Sequence, residues 1–206
     1  MAGEAEPLPP ADLLTARTPA AELTVLSSHP EAGVRAGVAR HPNTPAPVLG
    51  ALTPEFPQEV LANPALPLLR LADPHLLRGW PDAAFHALLR RPDIPAWVRT
   101  HLIRHGQTEL LIPLAQHAAL TEAEILTLAR HAAWLVRARI AARPALPPDL
   151  LAALATDPDY GVRLAVASRP SLPEDVARTL REDPSRFVRQ VLGQTQEPAP
   201  PVDRPV

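Results

Sequence analysis

The feature that most constrains this chain is its self-similarity at a fixed interval. The segment from Val136 reads VRARIAARPALPPDLLAALATDPDYG, the segment from Val162 reads VRLAVASRPSLPEDVARTLREDPSRF, and VRQVLG opens at Val188. Both steps are 26 residues. Self-similarity with a period of 20–50 residues marks a solenoid, in which each unit buries its apolar face only against its neighbours. Pro170, Pro144, Ala118 and Pro92 carry the register back in steps of 26, Pro64 and Pro42 continue it at spacings of 28 and 22, and Pro19 marks a degenerate first unit. The chain is therefore expected to hold about seven repeats of 22–28 residues.

Proline supplies the punctuation. There are 28 prolines in 206 residues, in a chain otherwise rich in Ala, Leu and Val. In P-x-[LI]-P the second proline fits the first turn of a helix, where its missing N–H would be unpaired anyway. A first helix is predicted over Pro147 to Ala155, with Asp149, Glu174 and Asp175 placing negative charge at helix starts. Where proline is missing, Thr121 and Glu124 form a capping-box pattern instead. The turn Asp157–Gly161 then leads to a second helix from Val162 to about Ser168, which Pro170 stops. The pairs Val34/Val38, Val136/Ile140, Val162/Val166 and Val188/Leu192 share one helical face. The residue after each pair is small (Ala39, Ala141, Ala167, Gly193), as close helix contact requires. In this register Val98-Arg99 belongs to a first helix, although it looks like another Val-Arg pair.

The units DPDYGVRLAVASRPSLPEDVARTL and VRARIAARPALPPDLLAALA resemble the leucine-rich repeat variant family, a HEAT-like design, over about residues 16–193. That resemblance implies a right-handed α-solenoid, all-α, in which each α-helix is followed by a short α or 3₁₀ helix. A family member can carry a Cys-ligated iron–sulfur cluster ahead of its repeats. This chain has no Cys, so that cluster, a thiolate zinc site and a disulfide framework are all excluded. The family supplies a fold more than a function.

Three columns of side chains repeat with the helices. The Val-Arg column (Arg35, Arg137, Arg163, Arg189) either pairs with Asp157 and Asp183 of the preceding turns to fix stacking, or forms a basic stripe for phosphates. It is interrupted at Pro57, Phe85 and Leu111. The residue before each marker forms a second column: His41, Asn63, Arg91, His117, Arg143 and Arg169. These either meet the last carbonyls of the second helix or present donors to carboxylates or phosphates. Trp134, Tyr160 and Arg186 share a third position, expected in the turn between helices, with Trp80 close to it. They either fill gaps between loops or form a recognition patch.

All 20 basic residues are Arg, against 22 acidic ones, and the net charge is −2. That balance does not drive the whole molecule to nucleic acid. His101 and His105 have the i, i+4 spacing of a metal pair, but no third ligand is near, so no metal and no cofactor are expected. No phosphate loop or nucleophile motif is present, so the expected function is non-catalytic. A macromolecular-interaction scaffold binding a protein partner leads, with nucleic acid on the Arg columns as the alternative. No run approaches the roughly 20 apolar residues of a membrane span, and the acidic start MAGEAEPLPP lacks signal-peptide character, so a cytoplasmic address is expected. Residues 1–10 and the Pro-rich 194–206 read as disordered ends of a repeat domain spanning 11–193.

Overall fold

The computed structural model describes residues 14–196. They are all-α: fourteen α-helices in seven consecutive pairs and no strand among the described residues. The described residues divide into two compact units, which meet in sequence between Val98 and Arg99 of helix α7 (Ala96–His105).

In the first unit the pairs are α1 (Ala20–Leu26) with α2 (Ala32–Arg40), α3 (Ala46–Leu52) with α4 (Pro57–Leu61), and α5 (Leu66–Ala72) with α6 (Asp82–Leu89). The odd spacings now have a physical source. The 22-residue unit has a five-residue second helix, α4, entered by a four-residue turn. The 28-residue unit inserts a 3₁₀ helix, Leu76–Gly79, between α5 and α6. It is the one 3₁₀ helix among the described residues, so the second helix of each described repeat is an α-helix, one of the two forms the resemblance implies.

The α7 helix (Ala96–His105) pairs in sequence with α8 (Thr108–Ala115). The second unit continues with α9 (Glu122–Leu128) and α10 (Trp134–Ala141), α11 (Pro148–Ala155) and α12 (Tyr160–Ala167), then α13 (Glu174–Arg181) and α14 (Arg186–Gln196). Second helices pack on second helices, with α10 against α8 and α12, and α12 against α14; α11 packs on α13. The paired apolar positions form the core: Val136, Ile140, Val162, Val166 and Val188 are fully buried, as are Ala141 and Ala167 after them. Each such branched side chain contributes about 1.5–3 kcal/mol relative to exposure. Gly193 departs from the small-residue expectation, because a Cβ there would meet nothing within 4 Å.

Pro147 and Pro173 sit at the N-cap of their helices, and Thr121 with Glu124 closes the expected capping box. The turn after α11 is shorter than Asp157–Gly161. Asp159 accepts from the Gly161 amide at 2.8 Å, and Tyr160 and Gly161 already belong to α12. An Asp N-cap starts a helix more strongly than a following glycine delays it. At the other end α14 runs to Gln196, so residues 194–196 are helical rather than part of a tail. The expected disorder at 1–10 and 197–206 lies outside the described residues.

Candidate interaction surface

In the Val-Arg column Arg35, Arg137 and Arg163 each hold two turns together. Arg163 Nε donates to Asp183 Oδ2 at 2.7 Å and Nη2 to Oδ1 at 3.2 Å. Its Nη1 donates to the Asp157 and Pro158 carbonyls at 2.7 and 3.2 Å. Arg137 repeats this on Asp157, with both bonds at 2.8 Å, and on the carbonyls of His131 and Ala132. The carboxylate therefore comes from the following turn, 20 residues on, and not from the preceding turn as the spacing suggested. The preceding turn contributes main-chain carbonyls, because the second helix starts beside its own entry turn while the next first helix returns over it. Each aspartate links two repeats, its carboxylate to one arginine and its carbonyl to the next.

These are bidentate, charge-assisted bonds in nearly dry surroundings. Side-chain exposure is 12% for Arg163 and 3% for Asp183. Burial alone would raise the carboxyl pKa of Asp157 and Asp183. Bonds from Arg137 and Arg163, and from the amides of Asp159 and Ser185, outweigh it and hold both below the usual carboxylate range. The paired arginines are pushed up in turn, chiefly by the same bonds. Arg189 keeps the main-chain half of the arrangement, donating to the Asp183 carbonyl, and is exposed. Arg35 pairs with Glu55 and donates to the carbonyls of His29 and Pro30. At the interruptions, Phe85 and Leu111 lie in the core.

In the second column His41, Asn63, Arg143 and Arg169 bond backward by one repeat, not to their own helix. Arg143 Nη1 donates to the Ala115 and His117 carbonyls at 2.9 and 3.0 Å. Arg169 Nη1 donates to Ala141 O at 2.8 Å and to Arg143 O, and Nη2 to Pro144 O at 2.8 Å. Asn63 Nδ2 reaches the Ala39 and His41 carbonyls, both at 2.8 Å, and His41 Nε2 donates to Thr15 O at 2.7 Å. These are the orphan carbonyls at helix ends, satisfied from the neighbouring repeat. His117 Nδ1 accepts from the Ala119 amide, and Arg91 pairs with Asp93 at 2.9 Å. Burial lowers the pKa of Arg143 and Arg169.

Trp134, Tyr160 and Arg186 are the first residues of α10, α12 and α14, not turn residues. Trp134 and Tyr160 are exposed, at 43% and 56%. The Trp134 ring lies on Gly161 of the next repeat, where a Cβ would stand 2.6 Å from Cζ3. The Arg186 guanidinium lies over the Phe187 ring at 4.9 Å, and Phe187 is 52% exposed. Leu135 is exposed beside them. Trp80, by contrast, is buried against Gly50.

Some participants were invisible to the column reading. Arg99 of α7 is buried and donates to Glu124, the capping-box residue, at 3.1 Å. Thr195, 26 residues after Arg169, donates to Ala167 O at 2.9 Å and is the next member of the second column. Continuing the 26-residue step would have found it. The His101 and His105 rings meet at a tilt of 56° with centroids 5.3 Å apart. No group of three or more potential metal-ligating side chains occurs among the described residues, and no described helix is long and apolar enough to cross a membrane.

With this geometry in view, residues 32–54 and 160–185 match the family model for the leucine rich repeat variant. Those two segments are similar to leucine-rich repeat variant repeats. The matched segments are α2 with α3 and α12 with α13, each a second helix running into the next first helix. No curated protein and no solved structure matches the chain.

Proposed function

We propose that this helical-repeat protein is a non-catalytic scaffold that binds a protein partner through the edge where α10, α12 and α14 begin. The observation that carries this reading is a difference in side-chain commitment. Arg137, Arg163, Arg143 and Arg169 are held by carboxylates and carbonyls inside the array. Trp134, Leu135, Tyr160 and Phe187 stand exposed on successive repeats that pack against each other. Aromatic side chains with a neighbouring Arg make good anchors, since they bring large contact area at small entropic cost. A phosphate-tracking stripe along the repeated columns needs guanidiniums that face solvent, whereas Arg137, Arg163, Arg143 and Arg169 are committed to partners within the array.

The test is capture of partners from host lysate by tagged protein, with and without nuclease, at low and raised salt. A discrete protein that survives nuclease and salt, and is lost with the triple variant Trp134→Ala/Tyr160→Ala/Phe187→Ala, supports the reading. Capture unchanged by the triple variant, or recovery of nucleic acid that falls steeply with salt, overturns it.

A further inference from the structure

The two arginine columns differ in one respect that bears on binding. At Arg137 and Arg163 of the Val-Arg column the guanidinium charge is met by an aspartate. At Arg143 and Arg169 of the second column it is met only by neutral carbonyls, with no carboxylate partner. Both side chains are half-buried, and the Nε–H of each is buried without an acceptor. Burial lowers the pKa of both groups with no nearby carboxylate to offset it. A desolvated charge without a counter-charge is costly and attracts an anion.

Beside these two side chains lies a cleft of about 300 Å³, lined by Arg143, Pro144, Ser168, Arg169, Pro170 and Ser171, with Ala142 and Ala165, and by no acidic residue. Arg143 Nη2 has no acceptor among the described residues, and the carbonyls gripping Nη1 fix the guanidinium in place before any ligand arrives. Such fixing lowers the entropic cost of binding.

We propose that this cleft is a carboxylate-binding site that accepts an acidic side chain from a peptide partner. It lies past the C-terminal ends of α10 and α12, whereas the aromatic edge lies at their N-terminal ends, so the two sites are separate. A peptide carboxylate fits better than a nucleic-acid backbone. The walls of Pro and Ala suit the methylenes of Glu or Asp, and the column positions on either side are His117 and Thr195, which do not extend a positive track.

The experiment is fluorescence anisotropy with a labelled octaglutamate peptide, with octaglutamine as the uncharged probe, and inorganic phosphate and oligothymidylate as competitors. Ser171 is exposed, so Ser171→Glu places a carboxylate at the cleft without disturbing the carbonyl network. Octaglutamate is expected to bind and octaglutamine not. Ser171→Glu is expected to weaken binding by roughly tenfold, the value of one charge-assisted hydrogen bond. Gln190→Glu, the same charge change on exposed surface outside the cleft, is expected to change it by no more than about twofold. The triple aromatic variant retains the probe, which separates this site from the edge proposed above. Absence of octaglutamate binding, equal effects of the two Glu substitutions, loss of the probe with the aromatic variant, or preferential displacement by oligothymidylate each overturns the proposal.

Discussion

Arg35–Glu55 in the first unit and Arg163–Asp183 in the second have the same sequence separation of 20 residues, and both arginines also hold their own entry turn through carbonyls. Their surroundings differ. Glu55 is 50% exposed, while Asp183 is 3% exposed and accepts a further bond from the Ser185 amide at 2.7 Å. The shorter acid is drawn under the turn, where it satisfies main chain as well as guanidinium. The longer one reaches its arginine from solvent. The spacing of the second unit stays at 26, and its ladder runs on from Arg137 through Asp157, Arg163 and Asp183. The first unit has spacings of 22 and 28, and its ladder is a single pair. The same column thus places an arginine against an acid in both units, and the shorter acid makes the drier pair.

The comparison can be broken most forcefully at the acids. Asp183→Ala leaves Arg163 without its counter-charge and is expected to cost about 3 kcal/mol in chemical denaturation. Glu55→Ala, removing an exposed partner, should leave the midpoint unchanged. Next come the two tryptophans that rest on glycines. In Gly50→Ala the new methyl meets the buried Trp80 ring at 2.8 Å, which has no room to retreat, and overpacking should cost about 1–2 kcal/mol. Gly161→Ala meets the exposed Trp134, which can swing outward. There stability should change by less than about 0.5 kcal/mol, since alanine also favours the helix, and the Trp134 emission should shift.

Acid tests the aspartates together. Their folded pKa values lie below the unfolded ones, so their contribution is complete above the ordinary Asp value of about 3.9. It is lost as pH falls through the lowered values. Thermal stability should therefore drop below about pH 4, and Asp183→Asn should flatten that drop. A modest effect is expected at Thr195→Val, which removes one neutral side-chain bond to Ala167 O and should cost about 0.5–1 kcal/mol.

Much of the fold was legible because its signals are local. Proline at helix starts, the capping box and Val/Ile four apart each name an element without reference to the rest of the chain. The direction of the Arg–Asp pairs was not legible: 163 to 157 and 163 to 183 are both within one repeat, and only the return path of α13 decides between them. The second column pointed to helix-end carbonyls, but whose carbonyls depends on stacking. The aromatic position was read one step early, since Asp159 caps α12 and draws Tyr160 and Gly161 into the helix. Arg99–Glu124 had no column to reveal it, because α7 places its arginine on a first helix.

The Arg–Asp ladder of the second unit is expected to stabilise the array through the coupling of its charges. A double-mutant cycle on Arg163→Ala and Asp183→Ala, read by chemical denaturation, tests it most directly. A coupling of about 1.5 kcal/mol or more is predicted, as for residues in one salt-bridge network. Additive effects, with a coupling near zero, would contradict it and return Arg163 to the pool of surface groups available for binding.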